Sequence, residues 1–112
     1  MANEVVRDLG GLDGREEFTA AAAGRNGDIV FTGSGKAGIV CEPSTYVIGQ
    51  RVAISTDALV LVDSAAATTF AAGATVQWNA GTKLAVTAGG TNMGKAERAK
   101  VANETSVLVR LN

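Results

Sequence analysis

A chain of 112 residues, 46% hydrophobic and 19% charged, can bury one hydrophobic core and is too apolar to stay unfolded, so a single folded domain is expected. Its formal net charge of −1 leaves no basic stripe to displace phosphate counterions, which argues against a nucleic-acid partner. With no histidine, Ser-His-Asp and Cys-His activation, imidazole acid–base catalysis and nearly all zinc sites are excluded together.

Residues 1–15 read as an extended N-terminal arm, because EVVRDLGG and LDGRE are glycine-separated, mixed in polarity and without a helical or strand period. They also lack the basic and apolar regions of a secretory signal. The folded domain is assigned to residues 16–112. A first strand is expected from Glu17 to Ala20, after which the alanine run meets GRNGD and turns. DIVFTG (28–33) and KAGIVC (36–41) form a hairpin through Gly-Ser-Gly, with Gly38 marking a bulge or a close backbone approach. Cys41 follows an apolar run and reads as buried and inert, since a reactive thiolate needs exposure and a nearby base or cation. Pro43 ends that strand, and TYVIGQRVAIS (45–55) supplies another with Ile48, Val52 and Ile54 inward and a kink at Gly49.

ALVLVD (58–63) is apolar on both faces and reads as a central strand; its longest run, Ala58 to Val62, is far short of the roughly 20 residues of a membrane span. SAAATTFAAG (64–73) is a connection with Phe70 inward. A second hairpin follows in ATVQWNAGTKLAVT, with Val76 and Trp78 on one face and Asn79–Gly81 in the turn; Trp78 fits the core better than an interface. NMGKAERAK (92–100) is a strand with Met93 inward, and its Lys95, Arg98 and Lys100, interrupted by Glu97, read as a solvated face. TSVLVRLN closes the sheet with Val107, Val109 and Leu111 on one face and Leu108 and Arg110 on the other. About eight short antiparallel strands at this spacing describe an all-β sandwich or barrel.

Candidate chemistry is sparse. The carboxylates Asp8, Asp13, Glu16, Glu17, Asp28, Glu42, Asp57, Asp63, Glu97 and Glu104 are scattered, not spaced as an acid–base pair. GSGK (33–36) leads into Ala37 and a β run, so it is a hairpin turn and not a phosphate loop. The sequon Asn103-Glu104-Thr105 has no accompanying sign of secretion. No cofactor, metal, membrane or small-molecule substrate is expected. A core with five aromatics, Phe18, Phe31, Tyr46, Phe70 and Trp78, relies on Val, Ile, Leu and Ala, so assembly onto other copies or a larger surface would add burial.

The order GDIVFTG, AGIV, VIGQRVAIST, FAAGATVQWNAGTKLAVT, MGKA, VLVRLN resembles the small capsid decoration (cement) proteins of tailed bacteriophages and prophages, over roughly residues 16–112. Ala74 stands where that family usually has Asp, and Met93-Gly94-Lys95-Ala96 where Ile-Gly-x-Ala is common. The resemblance implies a non-enzymatic virion protein, made in the bacterial host cytoplasm, that binds the outer capsid surface where major capsid subunits meet. It implies self-association as well, a homotrimer rather than a homodimer. The arm would suit strand addition or arm exchange with a capsid subunit or a neighbouring copy, through Val5, Val6 and Leu9. Two other classes stay in view: another virion β-module of tail or spike, and a small β-barrel enzyme or ligand-binding protein with Asp28 or Asp63 in a pocket.

Overall fold

Valine and isoleucine at alternate positions build strands wherever Gly, Pro or Asx residues do not interrupt them. The computed structural model follows that rule through residues 3–8 and 15–112, the portion it describes. The strands are β1 (Glu4–Asp8), β2 (Arg15–Thr19), β3 (Gly24–Arg25), β4 (Ile29–Phe31), β5 (Ala37–Glu42) and β6 (Thr45–Tyr46), then β7 (Arg51–Ser55), β8 (Ala58–Asp63), β9 (Thr75–Asn79), β10 (Leu84–Val86), β11 (Thr91–Ala96) and β12 (Ser106–Leu111). They pair antiparallel as a six-stranded sheet in the order β1-β8-β12-β11-β9-β10, a four-stranded sheet β2-β7-β5-β4 and a ribbon β3-β6. The result is all-β and sandwich-like, with twelve strands where about eight are expected; the additions are short pieces such as the two-residue β3 and β6, below the length at which a sequence period registers.

Alternation decides what is buried. Val60 and Val62 of β8, Val76 and Trp78 of β9, Met93 of β11 and Val107, Val109 and Leu111 of β12 face Ile29, Ala37 and Ile39 of the smaller sheet in one core. A second cluster lies on the smaller sheet's other face, where Val40, Val52 and Ile54 meet Ala20 and Tyr46. β5 therefore buries both faces. It admits no side chain at Gly38, where a Cβ would stand 2.8 Å from Ile54 Cδ1, so the close approach expected there is found. A parallel bridge between Ser64, just after β8, and Ala85 of β10 joins strands that lie four places apart in the sheet order, which requires the large sheet to curl.

Polar stitches complete the packing. Asn112, just after β12, accepts from Ala37 N at 2.9 Å and donates through Nδ2 to Ala37 O and Thr56 O, both at 2.8 Å. One side chain thus ties the end of the large sheet to the smaller one. Its φ of +55° is a conformation that Asn tolerates better than most residues.

Several expectations are corrected. Ile48 is not inward: residues 47–50 form a turn, closed by Gln50 N to Val47 O at 3.1 Å with Gly49 at φ +84°, which leaves Ile48 69% exposed while Val52 and Ile54 are buried as expected. Cys41 is half-buried instead of buried, because β5 bulges between Val40 and Glu42 and turns it out of the alternating pattern. Lys100 is not solvated; it is 3% exposed, and its Nζ donates to Ala65 O at 3.1 Å and to Thr68 O. With the Phe70–Lys100 backbone bridge, this lysine pins the 64–70 connection against the loop leading to β12. Finally, residues 4–8 of the expected arm form β1, hydrogen-bonded antiparallel to β8 at the end of the large sheet. Asn3 Oδ1 accepts from Asp63 N at 2.9 Å and holds the start of that strand in place.

Candidate interaction surface

Among the described residues most carboxylates stand apart. Glu17 pairs with Arg51 at 3.0 Å and Glu97 with Arg110 at 3.2 Å, both at the surface, where such pairs contribute little. Glu104 Oε1 caps Val101 N at 2.9 Å within its own loop. Asp28 is occupied structurally: Oδ2 accepts from Tyr46 OH at 2.8 Å and from Arg25 N at 3.0 Å. Burial, then the hydrogen bond to Asp28 and its charge, push the Tyr46 phenol up to about 12. Gly24 packs against this pair so closely that a Cβ would collide with both partners. Asp28 and Asp63 share a cleft of about 90 Å³, space on the order of a few water molecules. Among the described residues, no three His, Cys, Asp or Glu side chains are grouped as metal ligands, and no helix is long and apolar enough to cross a membrane.

Apolar surface and open strand edges are the better-developed features. Among the described residues β1 has β8 on one side and no strand on the other, and within it Val5 is 39% and Val6 56% exposed. The register slips between Val5 and Arg7, so Val6 sits in a bulge. Leu9, the third residue expected at this surface, lies outside the described residues. Val101 is exposed on the loop before β12.

A second apolar region was hidden from sequence reasoning. The 47–50 turn presents Val47 and Ile48 side by side in solvent, and it is held from both directions: Gly49 N donates to Ala20 O at 2.8 Å and Ala20 N to Gln50 O at 2.9 Å. The available signal was Gly49 itself, which marks a turn as readily as a kink. Beside that turn lies a groove of about 400 Å³, lined by Phe18, the Ala20–Ala23 run and β4 together with Trp78, Ala80 and Lys83. Its few polar groups include Asp28 and Tyr46, already bonded to each other, so it offers apolar contact more than the convergent polar set that orients a small substrate.

No curated protein and no solved structure matches the chain. The family described as phage cement protein matches residues 14–111, which takes in every strand from β2 to β12. With that match across nearly the whole chain, and a fold whose side chains are spent on packing and turns, the chain belongs to the phage cement protein family, a family of structural virion proteins.

Proposed function

We propose that the protein decorates the outer surface of the assembled phage head, bridges neighbouring major capsid subunits and stabilises their contacts. The observation that carries this reading is the cement-family match over residues 14–111. Carboxylates engaged in turns and surface pairs are consistent with it. The shell contact includes β1, whose open edge and exposed Val5 and Val6, together with Leu9, suit pairing with an extended segment of a capsid subunit. Self-association as a trimer at lattice threefold positions, with a dimer as the alternative, belongs to the same reading and rests on analogy with such lattices.

Co-sedimentation with purified heads tests it. A decoration protein saturates at a fixed ratio to the shell subunit and raises the temperature at which heads release their DNA. Failure to bind heads at any concentration, with binding to isolated tails instead, refutes it in favour of a tail or spike module. Replacing Val5 and Val6 together by Asp places two charges at the contact and is expected to weaken head binding at least about tenfold, an energy of about 1.4 kcal/mol.

A further inference from the structure

We propose that the open edge of β4 receives an extended apolar segment of the shell subunit as an added strand, with an acidic residue of that segment beside Lys83. The choice of a shell segment as occupant rests on the capsid-binding reading above. Asp28 O accepts from Val40 N and Thr32 N donates to Lys36 O, both at 2.9 Å, while Val30 lies opposite Gly38. Residues 28, 30 and 32 therefore turn their polar backbone groups toward β5. By the two-residue alternation of an antiparallel ladder, Ile29 and Phe31 direct theirs outward, where β4 has no neighbouring strand among the described residues.

Two other edges of these sheets are guarded and this one is not: β2 opens with Arg15, Glu16 and Glu17, and β10 is bridged to Ser64. Charges and bulges are the usual means by which proteins keep an edge from pairing. β4 reads Ile-Val-Phe, with neither device, and all three residues line the 400 Å³ groove. From strand rise, strand spacing and sheet spacing, an extended segment of three residues fills a block of roughly 10 × 4.8 × 10 Å, about 480 Å³. The groove thus holds two to three residues of one strand. Trp78, Ala80 and Lys83 complete the lining of the groove. Among the described residues no carboxylate forms an ion pair with exposed Lys83, so the rim favours an acidic residue in the occupant.

The test compares full-length wild type with Ala22→Arg, which places a long charged side chain from an exposed position into the groove, on heads of the encoding phage. Three results are expected. Half-saturation of heads by Ala22→Arg rises about tenfold or more, with its melting temperature within about 2 °C of wild type, and Lys83→Glu shows a smaller loss of about threefold. In bound wild type, amide exchange of segment 28–32 slows at least about tenfold, since the Ile29 and Phe31 amides gain acceptors. If Ala22→Arg does not fold, the exchange measurement on wild type decides. Wild type that binds heads while segment 28–32 exchanges unchanged, or while Ala22→Arg binds equally well, overturns this inference alone. Protection of the same segment in concentrated protein without heads makes a second copy the occupant and also overturns it. Wild type that does not bind heads removes the capsid reading and this occupant together.

Discussion

Asn112→Ala should destabilise the fold more than its exposed position suggests. The substitution removes three hydrogen bonds of 2.8–2.9 Å that join β12 to Ala37 and Thr56. Ala37 is 0% exposed, so its N–H and C=O lose a partner in a place where water replaces one poorly. At a net value near 1 kcal/mol per bond, with the penalty for stranded buried groups pushing upward, the loss is about 3 kcal/mol. Unfolding entropy of about 2.1 cal/mol/K per residue gives roughly 0.24 kcal/mol/K for the chain, so the melting temperature should fall by about 13 °C. Calorimetry and urea unfolding measure this, with an unchanged dependence on urea indicating that the native and unfolded states keep their exposed areas. Asn112→Gly separates backbone from side chain: it loses the same bonds but accepts φ +55°, and should melt between Ala and wild type. Asn112→Asp keeps the acceptor for Ala37 N but turns a carboxylate toward two carbonyl oxygens, and should be no better than Ala. A melting temperature within about 2 °C of wild type for Asn112→Ala would refute the idea that this side chain joins the sheets.

Lys100→Met keeps a long apolar stem but removes the donations to Ala65 O and Thr68 O. A loss of about 3 kcal/mol is expected, with faster amide exchange in residues 64–70 and 100–105 together; exchange unchanged in either segment contradicts the pinning role. Tyr46 titrates at about 12 in the folded protein against 10 in the unfolded chain, so the native state holds the proton more tightly and its contribution is complete below pH 10. Stability should therefore fall as pH rises from 10 to 12, and Tyr46→Phe should remove that part of the slope; an identical alkaline profile for the variant rules this out.

Much of the architecture was legible because alternation survives wherever a strand is long enough to show it. Val107, Val109 and Leu111 are inward as their spacing predicts, as are Val76, Trp78 and Met93, and both expected hairpins form. What escaped were decisions made by residues distant in sequence. β1 has too little period to declare itself, and its place follows from β8, more than fifty residues later, offering a partner. Lys100 belongs by type at the surface; two carbonyls of the 65–68 turn draw it inside. Ile48 matches the period of Val52 and Ile54, yet one glycine in a left-handed conformation ends the strand before it. The groove was invisible for the same reason: β4 and Trp78 come from different sheets and only packing brings them to one groove.

Small contacts make the lattice itself a part of the binding argument. On the capsid reading proposed above, the contacts are a groove for two to three residues and one edge at β1, small beside the roughly 1,200 Å² at which specific pairwise complexes become stable, so one copy should hold one isolated shell subunit weakly. On that reading an assembled head presents several subunits to each copy at fixed spacing. The second contact is then intramolecular, and linked sites commonly gain 10²–10⁴ in apparent affinity, provided both can be reached at once. Titration of the protein against unassembled shell subunits should accordingly give a dissociation constant at least about 100-fold higher than against heads. Weakening either contact alone, by Val5 and Val6 to Asp or by Ala22→Arg, should bring head affinity down toward that of the isolated subunit. Equal affinity for heads and for free subunits would mean that a single contact carries all the binding, and the bridging of neighbouring subunits would have to be abandoned.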